Sequence, residues 1–109
     1  MSNKPALVLL LGLLGLCSSL PALAEAEGGQ LYSQHCAKCH GSDGRANTLR
    51  GWLYFARNLS KAKWQDNNSD RDILDAIVEG PGAMPAYAGK LSEAEQLALV
   101  RAVRDLRKP

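Results

Sequence analysis

Apolar residues run almost unbroken from Ala6 to Leu20 and then break up into short patterned segments separated by glycine, proline and small polar residues. From Glu27 to Ala37 the spacing predicts a helix. Leu31 and His35 are four apart, as are Tyr32 and Cys36, so one face can pack while Gln30 and Gln34 stay wet. Gly28 and Gly29 weaken that helix but let another element approach closely. Residues 41–51 read as a polar, glycine-rich loop, and Trp52, Tyr54 and Phe55 as an aromatic patch that belongs in the core. Residues 56–68 show no strong period, with Trp64 as their one large apolar group.

A second helix is expected to start at Ser69, where Asp72 completes a capping-box variant, and to bury Ile73, Leu74, Ile77 and Val78 before ending at Gly80. "GPGAMPAY", residues 80–87, is an irregular loop whose prolines fix the backbone and whose glycines allow unusual turns. Ser92 with Glu95 forms the best capping box in the chain. It opens a final helix with Leu97, Val100, Val103 and Leu106 on one face. No strand and no internal repeat is evident, and the class is all-α.

The first two dozen residues differ from the rest. Lys4 supplies a positive start, the apolar run follows, and Pro21-Ala22-Leu23-Ala24 ends on an Ala-x-Ala step. That order predicts a secretory signal peptide over residues 1–24, cleaved after Ala24. The apolar stretch of 15 residues falls short of the roughly 20 needed to span a bilayer, so no permanent membrane span is expected. Lipid attachment at Cys17 is disfavoured by Leu16 in front of it. The mature domain is then residues 25–109, small enough to need a staple. Of the three cysteines only Cys36 and Cys39 remain in it, and a bridge between them would close too small a loop to stabilise a fold.

Charge changes the picture little. Thirteen basic residues face eleven acidic ones, and removing Lys4 leaves the mature chain near +1. That balance gives no case for nucleic acid. Arg101, Arg104, Arg107 and Lys108 form one basic cluster, expected to be the solvated face of the last helix, complementing its dipole.

"QHCAKCHG", residues 34–41, concentrates the chemistry. A structural zinc site needs four convergent ligands, usually from two separated pairs, and no second pair exists here. A thioredoxin-like redox pair needs a βαβ setting that this chain lacks. Cys36-Ala37-Lys38-Cys39-His40 instead has the spacing for covalent haem attachment. Two thiols one turn apart can add to two vinyl groups, and His40 follows directly as an axial iron ligand. The macrocycle also supplies the core that the short chain lacks. Met84, the one methionine of the mature chain, lies in a rigid loop without hydrophobic periodicity, which suits a sixth ligand better than packing. His35 competes, but Cys36 beside it ties it to the proximal side. Lys61, Lys63 and Lys90 would have to bind as neutral amines, and an ammonium has no lone pair to give.

With "GGQLYSQHCAKCHG", "NLSKAKWQDNNSDRDILDAIVEGPGAMPAY" and "LSEAEQLALVRAVRDL", the mature chain resembles a class I cytochrome c of the small bacterial mono-haem kind over nearly its whole length. The resemblance implies several helices wrapped around one covalent haem c, with the first and last helices crossing. It implies that Gly28 or Gly29, with Tyr32, meets the last helix near Leu99 to Val103, and that Trp64 lies near the haem propionates. The family often has a proline after the haem motif whose carbonyl holds the proximal histidine. Thr48 is expected in that place. An aromatic of the last helix is replaced by Ala102.

The function expected is that of a periplasmic one-electron carrier. Its iron would be ligated by His40 and Met84, its haem bonded to Cys36 and Cys39, and it would have no catalytic residues. Its partners would be redox proteins, donor and acceptor, such as a reductase, an oxidase or a quinol-oxidising complex. The alternative is a haem protein with an exchangeable sixth site, acting as a peroxidase-like enzyme, a sensor or an accessory to maturation of another haem enzyme.

Overall fold

The computed structural model describes residues 20–109, and in them six helices and no strand. They are α1 (Leu20–His35), α2 (Ala37–His40), α3 (Leu49–Leu53), α4 (Ala62–Asn67), α5 (Asp70–Glu79) and α6 (Glu93–Asp105). Most of the predicted signal peptide, with Lys4 and Cys17, lies outside the described residues. Among the described residues no helix is long and apolar enough to cross a membrane.

Helix α1 begins before Glu27, because Leu20 to Glu27 is rich in Ala, Leu and Glu, strong helix formers, and carries its one proline in the first turn. It crosses α6 at Gly28. A Cβ there would lie 2.5 Å from the carbonyl oxygen of Ala98, whereas one on Gly29 would meet nothing within 4 Å. The resemblance thus placed the crossing correctly, at Gly28, though one residue earlier on α6 than expected. Leu31 and Tyr32 of α1 join Leu99, Val100 and Val103 of α6 in the core, and Leu99 is wholly buried.

The two capping boxes form as read. Ser69 Oγ accepts from the Asp72 amide at 3.1 Å while Asp72 accepts from the Ser69 amide at 2.8 Å. Ser92 and Glu95 repeat the exchange at 3.1 and 2.9 Å. Helix α5 buries Ile73 and Ile77 and ends on Gly80 in the left-handed region, φ 65°. In α6 the buried face is rotated from the one read by periodicity: Gln96, Ala98, Leu99, Val100 and Val103 are buried, and Leu97 is exposed. Glycine at position 28 draws α6 in along its Ala98 side, which turns Leu97 outward.

Helix α4 has no sequence period because it is a single polar turn anchored by one buried amide. Gln65 Nε2 donates to the carbonyls of Leu59 at 2.8 Å and Val103 at 2.9 Å. Arg104 does not belong to a solvated face. Its guanidinium donates to Asp70, to the side chain and carbonyl of Gln65 and to the carbonyl of Asn68, tying α6 to the α4–α5 junction. Arg107 reaches Asp66 in the same way.

The aromatic patch is the clearest correction. Trp52 is exposed, not core, while Tyr54 and Phe55 pack on no protein core and line the recess beside Cys36 and Cys39. The residue of α3 that packs is Gly51, whose backbone presses so closely on Cys39 O, Ala46 O and Thr48 Oγ1 that a Cβ would clash with all three. With glycine as the buried contact, its bulky neighbours are left outside.

Candidate haem site

Helix α1 ends where the site begins. The amide of Cys36 donates to Tyr32 O at 2.8 Å and that of His40 to Cys36 O at 3.0 Å, so both cysteines and the histidine follow one tight helical path. Cys36 is buried and Cys39 half-buried, and neither is in a disulfide. Burial, reinforced by Cys39, pushes the Cys36 thiol up to about 11. Among the described residues, no three His, Cys, Asp or Glu side chains converge as a set for a bare metal ion.

Two recesses flank the motif. A smaller one, about 320 Å³, is walled by Cys36, Cys39, Tyr54, Phe55 and Tyr87. A larger one, about 640 Å³, is walled by Leu59, Trp64, Ile73, Ile77 and Val103. His40, Arg57, Pro81 and Met84 line both. His40 and Met84, 44 residues apart in sequence, are therefore brought to one site.

His40 is oriented from behind. Its Nδ1 lies 2.9 Å from Arg57 O; facing a carbonyl, that nitrogen must carry the proton, which leaves the lone pair on Nε2. The expectation that Thr48 supplies this carbonyl is overturned. Thr48 O instead accepts from the Trp52 amide, and Thr48 Oγ1 donates to Cys39 O at 2.7 Å while capping α3 through the Gly51 amide. A threonine in extended conformation before a helix is used as an N-cap, so its carbonyl is spent inside that helix.

The methionine loop is fixed by its glycine and its tyrosine. A Cβ on Gly80 would lie 2.5 Å from Met84 O and 2.6 Å from the Ala86 amide nitrogen, so the loop folds directly back over Gly80. Tyr87 then pins it: its amide donates to Ile77 O at 3.0 Å and its hydroxyl to His35 O at 3.2 Å. His35 itself is exposed and stacks edge-on against Tyr87, ring centroids 5.3 Å apart. On the other side, Tyr32 Oη donates to Gly41 O at 2.6 Å and fixes the turn after His40. Burial raises the Tyr32 hydroxyl well above the usual tyrosine range. The sequence does not mark Arg57, Tyr32 and Tyr87 as site residues. Only Tyr87 had a signal, its place at the end of the rigid loop.

The residues present fit haem c. Two unlinked thiols stand on one tight helical path, an imidazole is held by its Nδ1, a thioether shares its site, and apolar side chains form part of the walls. The cationic side chains Arg57, Lys61 and Lys63 also wall the larger recess, with Asp72 as its one acid. Fold and donor set together define a small mono-haem c-type cytochrome, with covalently bound haem c as its cofactor. Residues 23–101 match the family described as cytochrome C oxidase, cbb3-type, subunit III, and the chain belongs to it.

Cytochrome c6 of Leptolyngbya boryana is 36% identical over 70 residues, 62% of this chain and 75% of that protein. The cbb3-type cytochrome c oxidase subunit FixPc of Rhizobium leguminosarum bv. viciae is 36% identical over 74 residues. That match takes in 67% of this chain but only 24% of the subunit. Among solved structures, the KustC0563 c-type cytochrome is 43% identical with a TM-score of 0.68, covering 74% of this chain and 98% of that one.

Proposed function

We propose that the chain is an exported, periplasmic one-electron carrier whose haem iron takes His40 and Met84 as axial ligands and whose haem is bonded to Cys36 and Cys39. The observation that carries this is that His40 and Met84 both line both halves of one site. When bound there, haem c supplies a one-electron couple, and thioether ligation favours its reduced form. The chain's own part is positioning. Arg57 O fixes the imidazole, Gly80 and Tyr87 fix the loop that bears the thioether, and the α1–α2 turn presents the thiols. Both axial positions filled by protein leave no position for a substrate, which favours transfer over catalysis. Trp64, Lys61 and Lys63 share the larger recess, and their N–H donors suit the two haem carboxylates.

Export rests on the order of Lys4, the apolar run and the Ala22–Ala24 step. Relatives named as oxidase subunits favour an oxidase as one partner, with a reductase or quinol-oxidising complex as the other.

The test is to express the full chain in cells with working haem-attachment machinery and recover it from the periplasm. The expected product begins at Glu25, keeps one haem on denaturation, and titrates reversibly as a one-electron couple. A periplasmic product whose mass is that of the bare chain would overturn the reading.

A further inference from the structure

The α3 helix leaves apolar side chains in solvent. Leu49, Trp52 and Leu53 of α3 are exposed at 74%, 75% and 52%, and none of them walls either half of the haem site. Phe55 links the two regions: it lines the smaller haem recess beside Cys36 and Cys39 and also a shallow recess shared with Trp52. Phe55 is held in the left-handed region, φ 56°, a conformation that costs a bulky residue about 1–2 kcal/mol.

Charge identifies what would cover this face. Residues 36–63 carry six basic side chains and a single acid, Asp43, which is paired with Arg45 at 3.8 Å. Residues 64–109 carry six basic and eight acidic side chains, and residues 25–35 add two acids. A chain close to neutral overall is therefore polarised. Of those six, Arg57, Lys61 and Lys63 wall the larger haem recess, while Arg45 lines the shallow recess with Trp52 and Phe55 and Arg50 is exposed on α3 itself.

We infer that Leu49, Trp52, Leu53 and Phe55, rimmed by Arg45 and Arg50, form the docking surface for a redox protein whose contact face is apolar at the centre and acidic at the rim. The inference rests on the electron-carrier reading and names the partner's chemistry. An apolar centre supplies the desolvated contact and the charged rim steers the encounter. Continuity through Phe55 brings the partner beside the recess that both cysteines line. An anionic bilayer is the lesser candidate. Membrane-lying helices use a long apolar stripe, and α3 is only five residues.

The experiment is stopped-flow oxidation of the reduced holoprotein by two blue-copper proteins, one acidic and one basic. One electron leaves the cytochrome and reduces the copper from Cu(II) to Cu(I), with no atom transferred. At low ionic strength the acidic acceptor should react about tenfold faster or more than the basic one, and added salt should remove the difference. Arg50→Glu should slow the acidic acceptor about tenfold and speed the basic one. The double variant Leu49→Ser, Trp52→Ser should slow the acidic acceptor severalfold with its salt dependence unchanged. All should keep the wild-type spectrum and potential, which separates docking from misfolding.

Variants that match wild type with both acceptors overturn the docking surface while leaving the carrier reading intact. So does binding to phosphatidylglycerol vesicles that Trp52→Ser abolishes without changing the electron-transfer rates. A holoprotein that dithionite and ferricyanide cannot cycle through one electron overturns the carrier reading itself, and the docking surface with it.

Discussion

The imidazole Nδ1 of His40 and the main-chain oxygen of Arg57 lie 2.9 Å apart, joining the haem motif to a loop seventeen residues further on. The acceptor is main chain, so the side chain at 57 is free to vary while the bond persists. A proline in this role, which the family resemblance implies, would keep the carbonyl and restrict the unfolded chain. Arg57→Pro is therefore expected to keep haem and axial ligation and to raise stability by about 0.4–1 kcal/mol. Denaturant unfolding of the two holoproteins measures it, and a loss of stability would mean that the loop needs a backbone angle that proline refuses.

Gly28 and Gly29 are adjacent on α1 but opposite in surroundings. A methyl at 28 meets the Ala98 carbonyl oxygen at 2.5 Å and has only backbone to push against. Gly28→Ala should cost about 1–3 kcal/mol by forcing the α1–α6 crossing apart. Gly29→Ala meets nothing and should add about 0.5–1 kcal/mol through helix propensity alone. Equal effects from the two substitutions would remove the close crossing from the account.

The same pair shows what the sequence could and could not tell. Two glycines in a helix flag a close approach, but only the partner's position says which one makes it. Capping boxes were legible because both partners lie within four residues, as at Ser69–Asp72 and Ser92–Glu95. The motif Cys36 to His40 was legible for the same reason. Gln65 was not, since its two acceptors are 6 and 38 residues away. Thr48 was assigned the carbonyl role that belongs to Arg57, because its use as a helix cap depends on α3, a helix too short to show a period. The exposure of Trp52 followed from Gly51 beside it, a residue whose burial no hydropathy pattern reports.

Gln65 should be a sensitive position. It is 3% exposed, and its amide is what satisfies Leu59 O, while Val103 O also accepts from the Leu106 amide. Gln65→Leu fits the volume but removes the donors, and should cost about 1–3 kcal/mol for Leu59 O left dry. Thermal unfolding checks it, and a near-neutral result would mean that water replaces the amide.

Acid should loosen the helix starts. The carboxyls of Asp72 and Glu95 are held below their ordinary values, first by the backbone N–H groups of Ser69 and Ser92 and then by the serine hydroxyls. A depressed folded-state value means that the folded chain binds fewer protons than the unfolded one near pH 4. Their contribution is complete above the unfolded values and is lost as pH falls through the lower folded ones. Melting temperature should be level from pH 7 to about 5 and fall below about 4. The double variant Asp72→Asn, Glu95→Gln should start lower and fall less steeply. Parallel curves for the two proteins would assign the acid sensitivity to the haem ligands instead.

Met84 decides between a carrier and a reaction centre. Its loop is folded back so tightly over Gly80 that a Cβ there would lie 2.5 Å from the Met84 carbonyl oxygen, and Gly80 is itself left-handed at φ 65°. Two substitutions then separate ligand from loop. Met84→Ala deletes the thioether, so the ferric protein should turn high-spin, lose its thioether-to-iron charge-transfer band, drop in potential and gain cyanide binding. Gly80→Ala keeps the thioether but displaces the strand of chain that carries it. Its band should weaken, and cyanide should bind faster than to wild type though more slowly than to Met84→Ala. If wild type already binds cyanide as fast as Met84→Ala does, Met84 is packing, the sixth position is open, and the chain is a ligand-binding haem protein rather than a carrier.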